Sequence, residues 1–226
     1  MGQNKEKEDV KFLGIAMDEK LTWKNHIASI TTKTSRTLYA INRAKNHLPH
    51  FALKMLYISL IQSHLQYGIS AWGNSSNIGH IVKLQKKALR IINNKPFRAH
   101  TEPLFKNNKL LKIEDIYKFN VLLFMHDYVH SRHKLPNSFV NFFPQKLPGR
   151  LTRQKLNIPQ VKFRTKFSSK LTKHSFPTMW NNTDNNIQEI KSKKLFKLTL
   201  RTNFLEDYQA TIPNCANPIC RECYPT

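Results

Sequence analysis

Apolar positions recur at threes and fours through the first 130 residues, then lose that rhythm. Ile27, Ile30, Thr34, Leu38 and Ile41 keep helical spacing and predict a helix over 26–48 with one apolar face. Lys33, Arg36 and Arg43 fall on its opposite side. The stretch 51–65 is apolar on nearly every side, which predicts a central helix covered by several neighbours. Phe51, Met55, Ile58 and Leu65 are its expected inward face, flanked by Leu53, Leu56, Leu60 and Ile61. Pro49 suits its first turn and Gly68 its stop. After a loop over 73–77, the residues 78–92 form the cleanest amphipathic pattern in the chain. Ile81, Leu84, Ala88, Leu89 and Ile92 make the stripe; Lys83, Lys86, Lys87 and Arg90 occupy the other arc. A fourth helix is expected over 113–131, rich in apolar residues and with Glu114 and Asp115 in the first turn, where the helix dipole favours acids.

The flanks read differently. Residues 10–15 predict a short strand with Gly14 inside it, a position that suggests a bulge or a close backbone approach. The segment 93–109, with Pro96 and Pro103, reads as a polar loop. Beyond Pro144 apolar residues thin out, and Pro148, Pro159 and Pro177 punctuate the chain. Over 160–167, Val161, Phe163, Thr165 and Phe167 alternate with Lys162, Arg164 and Lys166, which predicts a strand with one basic edge. A last helix is expected over 196–208. The fold class is therefore mainly α: a small helical bundle with a short N-terminal β element and a basic, partly extended C-terminal region. The expected divisions are 1–25, 26–135 and 136–226.

Charge changes the picture more than any other bulk property. The 226 residues carry 37 Lys and Arg against 14 Asp and Glu, a formal net charge of +23. Such an excess repels itself in the compact state, and its usual complement is a polyanion. The arc of Lys83, Lys86, Lys87 and Arg90 has no acid among it, whereas a merely solubilising face mixes signs. These observations favour nucleic acid over a membrane surface. No signal-peptide pattern or lipidation motif is read, so the expected location is intracellular, in nucleus or cytoplasm.

Several short patterns, in order, carry a resemblance. Phe12-Leu13-Gly14, then Asp18, Leu21-Thr22-Trp23 and His26, come first. Leu56-Tyr57-x-Ser59-Leu60-Ile61, Tyr67-Gly68 and Trp72-Gly73 follow. Next come 84–92, then His100-Thr101-x-Pro103-Leu104-Phe105, and last Trp180-Asn181-Asn182. Together they resemble the reverse transcriptases of LINE-type (non-LTR) retrotransposons, the jockey-like group in particular, downstream of the catalytic palm. The resemblance implies that Phe12, Leu13 and Gly14 match the primer-grip turn and that the helices over 26–92 match the thumb. It implies RNA, an RNA–DNA hybrid or DNA as partner, and Mg2+ as cofactor of the full-length enzyme. None of Asp9, Asp18, Asp115, Asp127, Asp184 and Asp207 is adjacent to another, so the family's Asp-Asp pair is not matched and polymerase activity is not expected of this chain alone. The chain then reads as a C-terminal portion of such an enzyme. The alternatives are a free-standing basic helical protein that binds RNA or a protein, and a non-functional relic.

Other chemistry has less support. Lys33, Arg36, Arg43, Lys83, Lys86, Lys87, Arg90, Lys162, Arg164 and Lys166 are the expected nucleic-acid contacts, and no small-molecule or membrane partner is expected. Cys215, Cys220 and Cys223, within the last dozen residues, are the only metal candidates. Three sulfurs with no His among them fall short of the four ligands of structural zinc, and His174 is the nearest upstream. The ten His are scattered and form no paired metal-binding or nucleophile motif.

Overall fold

The computed structural model describes residues 9–139, 141–144, 156–160, 162 and 164–208. The chain is mainly helical and divides into two units. The first comprises 1–113 with 205–226; the second comprises 114–204.

The first unit opens with a hairpin. Strands β1 (Asp9–Phe12) and β2 (Ile15–Asp18) pair antiparallel, with Asp9 opposite Asp18 and Phe12 opposite Ile15. Gly14 is therefore not inside a strand, as expected from 10–15, but in the two-residue turn between strands. Leu13 has φ +46° and Gly14 φ +82°, the left-handed pair that tight hairpins need. Leu pays a steric penalty there that Gly does not. After the hairpin, the Asp18 carboxylate accepts hydrogen bonds from the Thr22 and Trp23 N–H groups, both at 2.8 Å. Burial alone would raise its pKa; those hydrogen bonds prevail and hold it below the ordinary carboxylate range.

Helix α1 (Lys24–Ala44) buries His26, Ile27, Ile30, Thr34, Leu38 and Ile41, and so confirms the apolar stripe read from spacing. It ends short of the expected residue 48. The central stretch is not one regular helix. It runs as α2 (His50–Leu56), a π-helix (Tyr57–Gln62) and α3 (Ser63–Gln66). Leu53, Tyr57, Ile61 and Leu65 are buried, at a constant spacing of four. An α-helix drifts by a fraction of a turn at that spacing; the wider i→i+5 turns of the π segment keep the stripe inward. The expected inward face is thus corrected. Leu65 is buried, but Phe51 is 72% and Met55 50% exposed, and Ile58 is half-buried.

Gly68 does end the central stretch. It has φ +61°, and a Cβ there would lie 2.4 Å from Ile15 Cδ1. Helix α4 (Ile69–Trp72) follows, and buried Trp72 donates its indole N–H to the Tyr67 carbonyl at 3.0 Å. Helix α5 (Gly79–Ile92) then packs along α1. Helix α6 (Glu102–Asn107) replaces part of the expected polar loop: Pro103 sits in its first turn, and Leu104 and Phe105 are buried. Proline at that position breaks nothing, because the first-turn N–H has no helical acceptor.

A buried amide joins these pieces. Gln85 Nε2 donates to Tyr57 Oη and to the Leu111 carbonyl, each at 3.0 Å, and Gln85 Oε1 accepts from the Ile113 N–H at 2.9 Å. Burial pushes the Tyr57 hydroxyl up to about 12. Tyr208 is also buried in this unit, and its Oη accepts from the Lys112 N–H at 2.9 Å.

The second unit contains most of α7 (Ile113–His130), which sequence spacing had grouped with the earlier helices. Its packing partners lie later in the chain. Phe124 meets Phe139 and Phe176 edge to face at 5.2 and 5.7 Å, and Tyr128 meets Phe143 at 4.9 Å. The remaining α-helices among the described residues are α8 (Lys166–Lys170), α9 (Thr172–Asn181), α10 (Asn185–Gln188) and α11 (Lys193–Glu206). Pro177 lies inside α9 and is buried, so it does not mark a boundary there. Trp180 is fully buried and donates to the Leu156 carbonyl at 3.0 Å. The Asn181 amide pairs both ways with the Ile158 backbone, donating to its carbonyl at 2.8 Å and accepting its N–H at 2.9 Å. His126 and His130 each donate from Nε2, to the Ile190 and Gln188 carbonyls at 2.8 and 2.7 Å.

Candidate nucleic-acid interface

The outward face of α5 follows from its inward one. Ile81, Gln85, Ala88, Leu89 and Ile92 are buried, so the residues half a turn away must face out. Lys83, Lys86 and Lys87 are exposed. Arg90 is half-buried, and its place is fixed. Its Nε donates to the Ala99 carbonyl at 2.8 Å, and its guanidinium carbon lies 5.8 Å from the Phe97 ring centre. Burial lowers its pKa, from a value high enough to keep the charge at neutral pH.

On α1, Lys33, Arg36 and Arg43 are exposed. Arg36 and Arg43 stand three positions before and four after Tyr39, so all three share a stripe. Tyr39 itself, 67% exposed, lines a groove of about 260 Å3 between α1 and α5. Lys87 and Arg90 line the same groove from α5, and Lys95 and Phe97 from the segment after it. Two basic helical stripes therefore flank one groove. Tyr39, Lys95 and Phe97 were not among the sequence candidates. The helical spacing of Tyr39 from Arg36 and Arg43 was legible; nothing in the sequence brings Phe97 back beside Arg90.

The hairpin turn is the second exposed feature of this unit. Phe12 and Leu13 are 62% and 72% exposed. The Tyr67 hydroxyl donates to the Leu13 carbonyl at 2.6 Å, and a Cβ on Gly14 would meet the Tyr67 ring at 3.9 Å. Tyr67, Gly68 and Trp72 are thus the seat of the hairpin: one ties down its turn, one lets Ile15 in, and one closes the core behind it.

The basic candidates of the second unit have a different setting. Lys162 and Arg164 are exposed and lie in no strand. The strand expected over 160–167 is corrected at its far end, where Thr165 accepts from the Ser168 N–H at 3.1 Å and caps α8. A Thr hydroxyl at that position favours helix entry over extension. Lys166 opens that helix. Val161, Phe163 and the three cysteines Cys215, Cys220 and Cys223 lie outside the described residues. Among the described residues no group of three His, Cys, Asp or Glu could hold a metal ion, and no helix is long and apolar enough to cross a membrane.

No protein-family model matches the chain, and no solved structure does. Curated proteins do. The RNA-directed DNA polymerase from mobile element jockey of Drosophila melanogaster is 32% identical over 111 residues, 46% of this chain. The probable RNA-directed DNA polymerase from transposon BS, also of Drosophila melanogaster, is 28% identical over 111 residues, again 46% of this chain. The matches span 12% of the length of each of these relatives. Over its matched segment, the chain is similar to the RNA-directed DNA polymerases of these two mobile elements.

Proposed function

We propose that the chain binds nucleic acid, holding the phosphates of a template–primer duplex against the outward arc of α5 and the neighbouring stripe of α1. The observation that carries this reading is the acid-free set of exposed Lys83, Lys86 and Lys87 beside the fixed guanidinium of Arg90. Phosphate contacts orient a protein on a duplex without reading its bases, so the binding is indifferent to sequence. The relatives' printed activity, RNA-directed DNA synthesis, supports a template–primer as the duplex.

Magnesium, implied by the resemblance for the full-length enzyme, has no fitting donor set among the described residues. Asp18 holds two N–H groups, Asp127 pairs with Lys193 at 2.5 Å, Asp115 faces Lys118 at 3.4 Å, and Asp184 caps α10. No catalytic step is derived through it. Primer extension with the purified chain, magnesium and all nucleotides is expected to give no product above a buffer control; extension that co-purifies with this chain would contradict that.

The binding reading is tested with RNA–DNA hybrids of unrelated sequence in a fluorescence anisotropy titration. The expected result is similar affinity for all of them, and weaker affinity for all after Lys83→Gln, Lys86→Gln and Lys87→Gln are combined. Wild-type affinity in the triple variant would overturn the assignment to α5.

A further inference from the structure

We propose that the groove between α1 and α5 is a seat for one unpaired base of a nucleic-acid strand, stacked on Tyr39 and Phe97, with the adjoining phosphates on Lys87, Arg90 and Lys95. The proposal rests on the nucleic-acid reading above and adds to it a second kind of contact, made to a base rather than to phosphate alone.

Three observations carry it. First, the rings are placed where solvent reaches them: Tyr39 is 67% and Phe97 78% exposed, while Trp72, Trp180 and many of the other aromatic rings are buried. Both line the same groove. Exposed rings in a cationic groove are the recurring device for single strands, because every base has a face to stack. Second, the groove has an apolar floor and a charged rim. Leu38, Leu84 and Ile91 lie below, the three cations stand around them, and no acid lines it. A base needs the floor and its phosphates need the rim. Third, the volume is about 260 Å3, under the roughly 300–1,000 Å3 of pockets that enclose a drug-sized ligand. That suits a base entering from a strand that runs on along the surface.

The arrangement is partly preorganised. The Arg90 hydrogen bond to the Ala99 carbonyl and its approach to the Phe97 ring join the guanidinium, the ring and the 93–101 segment. Arg36 and Arg43, on the stripe of Tyr39, give a strand leaving the groove further cations along α1.

The test uses the full chain and a short single-stranded oligonucleotide carrying 2-aminopurine, with a blunt RNA–DNA hybrid as the second probe. Stacking quenches 2-aminopurine, so binding of wild type is expected to lower its fluorescence. The double variant Tyr39→Ala, Phe97→Ala is expected to lose that quenching and about fivefold to a hundredfold in affinity for the single strand, per base stacked. The salt dependence of its affinity for the blunt hybrid should stay as in wild type, because Lys83, Lys86, Lys87 and Arg90 are all retained. Circular dichroism melts check that both proteins are folded, and the more conservative pair Tyr39→Phe, Phe97→Tyr should restore quenching. Unchanged quenching and affinity in the folded Ala variant would overturn the base seat while leaving the phosphate reading intact. Failure of wild type to bind either probe would overturn both.

Discussion

The two units are both rich in Lys and Arg, yet the cations singled out from the sequence sit on different kinds of structure in each. In the first unit the cations ride on regular helices whose inward faces are continuous apolar stripes, so their outward direction is dictated by the core. In the second, the core is made of rings gathered from separate segments, and Lys162 and Arg164 lie on chain with no regular element. A cation on a packed helix has a fixed address; one on irregular chain does not. That difference is why the interface is assigned to α1 and α5 and not to Lys162 and Arg164.

The sharpest way to separate the units is to remove the centre of one. Trp180→Ala takes out a fully buried indole and its hydrogen bond to Leu156, and is expected to cost about 3–5 kcal/mol. Hydrogen exchange should then show lost protection in α7 and α9, with α1 and α5 still protected. Equal loss in all four helices would mean that the units fold as one.

A smaller effect is expected at the seat of the hairpin. Gly68→Ala puts a Cβ at φ +61° and against Ile15, at a cost of about 1–2 kcal/mol from the backbone alone. Thermal melts should show it, and loss of the Tyr67–Leu13 contact should appear as faster exchange in the hairpin. An unchanged melt would mean that the hairpin is not tied to the core at this point.

The second unit also has a pH dependence built into it. Burial lowers the His126 pKa below the ordinary 6.5; the Ile190 carbonyl opposes the shift, His130 and Lys193 add to it, and Asp127 opposes it. A histidine whose folded pKa is depressed contributes stability that is whole above the unfolded value and lost as pH falls below it, since the unfolded chain then binds the proton first. Melting temperature should therefore drop as pH falls below about 6.5, and His126→Gln, which can still donate to Ile190, should flatten that dependence. His26, buried in the first unit and facing the charge of Lys33, shifts in the same direction, so its own Gln variant is the control.

The sequence made some of this visible and hid the rest for physical reasons. A single apolar stripe at helical spacing reveals both a core and its opposite face, which is why the α1 stripe and most of the α5 stripe were legible; on α5 the buried polar Gln85 was missed, and Leu84 is only half-buried. The central stretch misled because it is apolar nearly all round: periodicity cannot choose a face there, and the π segment shifts the phase. The hairpin was hidden by Leu13, a residue that does not advertise a left-handed turn. In the second unit, Pro177 looked like a break, and the links that matter are side chains bonding to backbone, as Asn181 does to Ile158. Such links leave no period. The Tyr39–Phe97 groove is half legible, since one ring lies on a helix and the other is brought by a loop.

The smallest effect on stability belongs to the substitutions that matter most for function. Lys83→Gln, Lys86→Gln and Lys87→Gln change exposed positions, and each should move stability by no more than about 0.5 kcal/mol. The measurement that tests the central claim most directly is a salt titration of RNA–DNA hybrid binding by wild type and this triple variant. Each phosphate contact contributes close to one unit to the slope of log affinity against log salt. The expected result is a slope shallower by about two to three units in the variant, with both proteins equally folded. The same slope in both folded proteins would contradict the account, and would show that the outward face of α5 touches water rather than phosphate.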